Sequence, residues 1–145
     1  MKISTKGRYG LRLILDIAKN QINGPVMLKD VAKRQKISLK YLGNIVPLLK
    51  NANLIASKKG FRGGFVLLKN TDKITLLEII TALEGNVFFA ECVDSPKKCD
   101  RWQNCIARNL WSSMASKAKN MMRSITLQDI LEKYSTKNFG LYYTI

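Results

Sequence analysis

Three cysteines lie close together in the second half of the sequence. Cys92, Cys99 and Cys105 fall within one 14-residue window, with the spacing C-x6-C-x5-C. Three thiolates on one loop are soft ligands that can hold a soft metal ion or an iron–sulfur cluster. The alternative is three thiols that bind no metal, and their clustering argues against it. These cysteines are therefore candidate metal ligands.

Basic side chains are concentrated in the first half. The chain has 25 Lys and Arg against 10 Asp and Glu, a formal net charge of +15. Residues 1–69 hold 15 basic and two acidic side chains, whereas residues 70–145 hold ten and eight. A basic segment joined to a nearly neutral one indicates that the first meets a polyanion and the second has another role. A surface kept soluble by its charge is the alternative.

The basic segment begins with a predicted amphipathic helix over residues 4–19, which Ser4 or Thr5 can cap. The apolar positions that recur at helical spacing are Leu11, Ile14, Leu15 and Ala18. A turn with glycine and proline at residues 23–25 then interrupts the chain. A shorter helix is predicted over residues 28–35.

A longer helix is predicted after the turn Lys36-Ile37. It runs from its N-cap Ser38 to about Asn51, and we expect it to continue past Pro47 because the apolar spacing continues. Two helices joined by such a turn are typical of a helix-turn-helix. In that motif the second helix enters the DNA major groove by its N-terminal residues.

A β-hairpin is predicted next. Residues 54–58 and 65–68 read as short strands, and the turn between them is rich in glycine and positive charge. The glycines permit tight turning and a close approach of backbone to a ligand. Arg62 at the tip can enter a narrow minor groove, where the negative potential is enhanced.

The second half is predicted to be helical around one loop. Thr75 and Glu78 match a capping box that opens a helix to about Leu83. Residues 86–104 lack periodicity and are expected to form a long loop, of the kind that is usually functional or disordered. Further helices are predicted over residues 105–122 and, capped by Thr126, over residues 127–134. The apolar tail at residues 139–145 is expected to dock against the protein.

The element order predicts a mainly α fold with a small β-hairpin wing, which is a winged helix-turn-helix with a long C-terminal helix. Residues 1–69 form the DNA-binding region and residues 70–85 a connecting helix. Residues 86–104 form the loop that carries cysteines, and residues 105–145 the long helix, the last helix and the tail.

The candidate DNA contacts cluster around the second helix of the motif, the wing and the N-terminus. Asn44 can pair bidentately with adenine, and Ser38 can serve a base or a phosphate. The cations would neutralise phosphates. The predicted DNA-binding residues are Lys2, Thr5, Lys6, Arg8, Tyr9, Lys29, Ser38, Lys40, Tyr41, Asn44, Lys58, Lys59 and Arg62.

Other classes of protein fit the sequence less well. The chain has no histidine, which is the commonest general base, and no glycine-rich phosphate loop opens a helix. We therefore predict that it is not an enzyme. No apolar run approaches the length of a bilayer span, and we expect a cytoplasmic protein without a membrane partner. A nonspecific nucleic-acid-binding protein remains an alternative, because it would share the charge.

Several stretches resemble the Rrf2 family of winged helix-turn-helix regulators. Residues 2–12 are similar to the family's opening, residues 37–42 to its recognition helix, residues 63–67 to its wing and residues 124–127 to the start of its C-terminal helix. The resemblance implies a homodimer that binds a partly palindromic operator in double-stranded DNA. It also implies that the helix over residues 105–122 is the dimerisation helix, with the first and last helices of one chain clasping the other.

The cysteine-containing loop most resembles IscR-like members of this family. That resemblance implies an iron–sulfur cluster on Cys92, Cys99 and Cys105, through which the protein would sense iron–sulfur, redox or nitric-oxide status. Because the loop leads directly into the expected dimerisation helix, we hypothesise that the cluster shifts the two wings and recognition helices between DNA-competent and incompetent spacings. The fourth ligand departs from the family pattern, because Arg108 stands where IscR-like members have histidine and Arg8 where NsrR-like members have an acidic residue. Nearby candidates for it are Glu91, Asp94, Asp100 and Asn104, besides a small thiol or a residue of the partner chain. The alternative is a CymR-like regulator without a cluster, controlled by a protein partner or a metabolite.

Overall fold

The computed structural model describes residues 2–87 and 89–133. Within these ranges the chain forms seven α-helices and one two-stranded antiparallel sheet, which confirms the mainly α class with a hairpin wing. The elements are α1 Thr5–Asn20, α2 Leu28–Gln35, α3 Leu39–Asn51, β1 Ile55–Lys58, β2 Gly64–Leu67, α4 Leu76–Glu84, α5 Glu91–Asp94, α6 Ile106–Ser124 and α7 Leu127–Lys133. None of the helices in the described ranges is both long and apolar enough to span a membrane.

One apolar core joins the DNA-binding region to the helix that follows it. Side chains from α1, α3, α4 and the start of α7 fill it, and those of Leu13, Ile17, Leu42, Leu49, Ile79 and Leu127 are fully buried. The face of α1 differs in part from the predicted one. Ile14 is fully buried, whereas Leu11, Leu15 and Ala18 are only partly buried at its edge. The reason is that α1 packs between α3 and α4, so its most buried positions face both helices.

The predicted helix starts are confirmed by their hydrogen bonds. The Ser4 and Ser38 hydroxyls accept from backbone N–H groups in the first turns of α1 and α3. Thr75 and Glu78 form the reciprocal capping box at α4. Burial acts to raise the pKa of Glu78, but hydrogen bonds from Lys69 and Thr75 outweigh it and lower the pKa. The bonds to the Ser4, Ser38 and Thr75 hydroxyls satisfy backbone donors that a helix terminus leaves without a partner.

The turn between α2 and α3 depends on one left-handed residue. Lys36 has φ 54° and ψ 46° and ends α2, and the next residue, Ile37, is buried in the core. The third helix then starts at Leu39 and continues through Pro47, as predicted. This geometry gives the helix-turn-helix expected from the sequence.

The wing, residues 55–67, is anchored at its base. Strand β1 pairs with β2 from Ile55 opposite Leu67 to Lys58 opposite Gly64. Phe65 exchanges backbone hydrogen bonds of 2.8 and 2.9 Å with Val26, which precedes α2. A Cβ at residue 64 would lie 2.5 Å from the Val26 carbonyl oxygen, so glycine is required for this approach.

The cysteine loop, residues 86–104, is more structured than expected. The sequence predicted a loop without regular structure, but α5 and a 3₁₀ turn, Pro96–Lys98, lie within it. These elements are single turns, too short to produce a recognisable apolar period. The predicted helix to Tyr134 is described only as far as Lys133, and the expected docking of the tail at 139–145 lies outside the described residues.

The end of α6 returns to the core through a short backbone bridge. Ile125 accepts from the Leu76 N–H, and Ile74 accepts from the Leu127 N–H, both at 2.8 Å. Hydrogen bonds from the Thr126 backbone and hydroxyl then cap α7 and lower the pKa of Asp129. The start of α4 and the start of α7 are therefore held side by side.

Helix α1 approaches α4 at a glycine. A Cβ built at Gly10 would overlap both methyl groups of Leu83, whose side chain is fully buried. Because the surroundings of Leu83 are closely packed, the side chain has little room to move aside.

We expect Gly10→Ala to lower the free energy of unfolding by about 1–3 kcal/mol, because the added methyl overpacks the contact between α1 and α4. Gly43→Ala in α3 is the matched control, since a Cβ there meets nothing within 4 Å. It should raise stability by up to about 1 kcal/mol through helix propensity alone. Urea denaturation of both variants measures the difference, and equal effects would show that the two helices do not pack this closely.

Candidate nucleic-acid interface

The N-terminal end of α3 faces solvent, as a helix that contacts base edges requires. Ser38, Lys40 and Asn44 are exposed, whereas the intervening Leu42 and Ile45 are buried in the core. The Ser38 hydroxyl also caps the helix by accepting from the Tyr41 N–H at 3.1 Å. The exposed side chains therefore project from a helix whose other face is fixed.

Two of the predicted contact residues brace each other. The rings of Tyr9 and Tyr41 meet edge to face with centroids 5.4 Å apart, and both residues are only partly exposed. The Arg12 guanidinium lies 5.5 Å from the Tyr9 ring centroid, within the range of a cation–π contact. Arg12 also donates to the Gln35 side chain at 3.1 Å and to its backbone carbonyl. The two tyrosines thus connect α1, the end of α2 and the start of α3.

A buried carboxylate fixes α2 against α1. Asp16 is 3% exposed and accepts hydrogen bonds from Arg34 at 2.6–3.2 Å and from the Gln35 amide at 2.7 Å. A third donor, the Asn20 amide, lies 3.3 Å away. The bond to Asp16 raises the pKa of the Arg34 guanidinium further above its ordinary value. A buried charge is tolerated only when it is paired and hydrogen-bonded in this way.

The N-terminal cations surround the start of α1. Lys2, Thr5 and Arg8 are exposed and Lys6 is half-buried, and Arg8 donates to the Thr5 hydroxyl at 3.0 Å. The neighbouring Ser4 donates its backbone N–H and its hydroxyl to one carboxylate oxygen of Glu84, at 3.0 and 2.6 Å. The predicted phosphate-binding segment is therefore tied to the last residue of α4.

The wing and the starts of α2 and α3 enclose an open cleft of about 500 Å³. Lys29, Lys58 and Lys59 are among its lining residues, together with Met27 and Leu39. Arg62 is exposed at the wing tip. The structure thus brings three of the predicted cations around one groove, beside the N-terminal end of the recognition helix.

Sequence reasoning missed the residues that position this surface. No positioning role was predicted from the sequence for Asp16, Arg12 or Arg34. The available signal was a charged residue on the apolar face of α1, three positions after Leu13. Such a residue needs a buried partner, but the sequence does not say which of the many cations provides it.

The three cysteines form no disulfide and are half-buried. Cys105 is the N-cap of α6, where its Sγ accepts from the Arg108 N–H at 3.4 Å. The Arg108 Nε donates to the Cys92 carbonyl at 3.0 Å, and its guanidinium lies 5.6 Å from the centroid of the Trp102 ring. Arg108 thus joins the segment around Cys92 to the end of the loop at Trp102 and Cys105.

The three thiols do not converge with other ligands in the described residues. Their chemistry suits a soft metal, but no three His, Cys, Asp or Glu side chains converge on a common point within residues 2–87 and 89–133. The carboxylates among the predicted fourth-ligand candidates, Glu91, Asp94 and Asp100, do not complete such a set. In the described conformation the residues therefore do not fit a cluster.

Known proteins are similar to this chain along almost its entire length. The family Rrf2, described as an iron-dependent transcriptional regulator, matches residues 3–133. The protein rrf2 of Nitratidesulfovibrio vulgaris is 35% identical over 135 residues, which cover 93% of this chain and 90% of that protein. Two solved structures are similar. CymR (YrzC), the global cysteine regulator of B. subtilis, matches with a TM-score of 0.75 and 38% identity over 93% of this chain and 98% of that one. IscR of T. potens matches with a TM-score of 0.77 and 30% identity over 99% and 97%.

We expect Asp16→Asn to lower the free energy of unfolding by about 2 kcal/mol, because it removes the charge that Arg34 and Gln35 satisfy. Asp72→Asn is the matched control. Asp72 pairs with Lys73 at 3.5 Å in an exposed ion pair, and its loss should cost less than about 0.5 kcal/mol. Urea denaturation of the two variants gives the comparison, and a similar small loss in both would contradict the role assigned to Asp16.

Proposed function

Because the chain belongs to the Rrf2 family of transcriptional regulators, we propose that it binds double-stranded DNA sequence-specifically, with α3 in the major groove and the wing beside it. The predicted DNA-binding residues remain part of this proposal. The observation that supports it best is the exposed end of α3, which lies beside a cleft lined by Lys29, Lys58 and Lys59. As a member of this family of regulators the chain is not an enzyme.

The exposed side chains of this surface are proposed to contact either bases or phosphates, according to their position. Asn44 and Ser38 are exposed on the reading helix and would contact base edges, whereas the lysines around the cleft would contact phosphates. Tyr9 and Tyr41 contact each other, and we propose that they mainly orient α3. A nonspecific nucleic-acid binder would need the cations but no such braced helix.

We propose that the chain acts as a homodimer through α6. Four large apolar side chains lie on this helix at spacings of four, four and seven residues and face solvent, with exposures of 86%, 54%, 39% and 59%; they are Ile106, Leu110, Met114 and Met121. Apolar surface of this extent on a single helix is typical of an interface. A two-fold dimer would present two recognition helices to a partly palindromic operator. Such a regulator would act in the bacterial cytoplasm, where its DNA lies.

The cysteine loop is positioned to influence DNA binding. Glu84 ends α4 immediately before the loop, and it accepts both hydrogen bonds from Ser4 at the start of α1. At the other end, Cys105 caps the proposed dimerisation helix. A change in the loop would therefore reach the N-terminal cations and the dimer together.

We propose two alternative ways in which DNA binding is controlled, one with a cluster and one without. An iron–sulfur cluster on the three cysteines rests on their spacing and on the similarity to IscR. A cluster-free regulator rests on the similarity to CymR and on Arg108, whose contacts hold the loop without a metal. The contacts of Arg108 favour the second form, and a direct experiment separates the two.

We expect the wild-type protein to select a defined duplex from a random-sequence pool and to protect two half-sites in a footprint. Asn44→Ala should relax base preference at one position per half-site, at a cost of about 1–3 kcal/mol. Lys58→Ala should weaken binding about equally on all sequences. It should also reduce by about one the slope of the logarithm of the binding constant against the logarithm of the salt concentration.

Lys73→Ala is the control for these variants, because this exposed lysine lies outside the proposed surface. Gel-shift titrations with excess random DNA supply the measurement, and a specific site should be preferred by at least ~10³. Uniform losses in both test variants would mean that α3 does not read bases. Wild-type protein without any preferred site would support the nonspecific alternative.

Reconstitution separates the cluster form from the cluster-free form. We expect wild-type protein to remain colourless and iron-free after anaerobic incubation with iron and sulfide. Substitution of Cys92, Cys99 and Cys105 together by alanine should leave operator affinity unchanged. Absorption spectroscopy and iron analysis give the readout. A visible absorption band and bound iron that the triple variant loses would establish the cluster form instead.

A further inference from the structure

The wing tip carries an apolar side chain with no protein contact. Phe61 is 100% exposed, a larger fraction than that of any other exposed large apolar residue in the described ranges. It forms the two-residue tip of the hairpin together with Arg62, because the Gly63 N–H donates to the Gly60 carbonyl at 3.0 Å across them. Full exposure of a phenylalanine carries a hydration cost that burial against a partner would remove.

The backbone around Phe61 is well constrained. Gly60 has φ +123°, which only glycine adopts easily, and a Cβ at Gly63 would lie 2.5 Å from the Lys58 carbonyl oxygen. Below the tip, Phe65 is hydrogen-bonded to Val26 at the base of the wing. The ring is therefore presented at a defined place and is not carried on a long mobile loop.

The surroundings of Phe61 indicate the chemistry of its partner. Lys58, Lys59 and Arg62 are all exposed next to it, so the partner of this tip is strongly negative. The apolar stripe on α6 lies on a different element and is assigned to the second copy of the chain. A DNA minor groove combines both requirements, since its phosphates are anionic and its sugar walls and base edges offer apolar surface.

We propose that Phe61 enters the DNA minor groove beside Arg62 and packs against its sugars and base edges. This inference rests on the proposed function, because it requires the wing to lie against DNA. The ring adds apolar contact where the lysines add only charge. It also makes binding sensitive to groove width and local deformability at positions that α3 does not touch.

The test compares Phe61→Ala with Phe61→Leu and Ile22→Ala on the duplex selected by the wild-type protein. Phe61→Ala should weaken binding about tenfold, as expected for the loss of one buried aromatic contact. Its salt dependence should stay that of the wild type, because no charge is removed. Phe61→Leu should retain most of the affinity. Ile22, which is 87% exposed after α1, should tolerate alanine without change.

Hydroxyl-radical footprinting gives a second readout. Phe61→Ala should lose protection of the minor-groove sugars opposite the wing and keep the protection that α3 causes. Unchanged affinity and unchanged footprint in Phe61→Ala, with wild-type protein still bound to its site, would overturn the role of Phe61 alone. A loss of affinity accompanied by a changed salt dependence would overturn it as well, because it would indicate a lost charge contact. Absence of any wild-type footprint would instead contradict the proposed function.

Discussion

The arrangement of the DNA-binding region depends on one buried carboxylate. Asp16 lies inside the protein and is matched by Arg34 and Gln35 from the end of α2. A charge at this depth is costly without its partners, so the end of α2 has one favourable position on α1. Gln35 then accepts from Arg12, and Arg12 lies on Tyr9, which contacts Tyr41 of α3. The contacts that satisfy this one charge thus continue to α3 and help to hold it in place.

The two halves of the chain are joined by polar contacts as well as by the core. Glu84 binds the start of α1. The carbonyls of Ile74 and Ile125 accept backbone hydrogen bonds that pair the start of α4 with the start of α7. These contacts connect the cysteine loop and α6 to the basic region over short paths. The proposed signal in the cysteine loop would need such a connection, because coupling between two binding sites requires that each site change the free energy of binding at the other.

Two side chains, one in the cysteine loop and one in the wing, bear on the proposed function. Arg108, a cation where a ligand was expected, donates to the Cys92 carbonyl and lies against Trp102. Phe61, an aromatic ring at a cationic tip, has no partner within the described residues. The first residue organises a loop through protein contacts, and the second offers apolar surface toward the proposed DNA. Arg108 thus bears on the proposed signal, and Phe61 on the proposed contact with DNA.

The sequence alone determined the local features. The caps at Ser4, Ser38 and Thr75, the helix-turn-helix, the hairpin and the basic first half were all predicted, because each depends on residues close together in the chain. The family also followed from short stretches. Tertiary structure decided which side of α1 is most buried, that residues 86–104 contain helical turns, and which residues hold α3 in place. Asp16 with Arg34 and Arg12 with Gln35 are 18 and 23 positions apart. Any of 25 cations could satisfy a buried carboxylate as far as composition is concerned, and only the packing of α1 against α2 selects one.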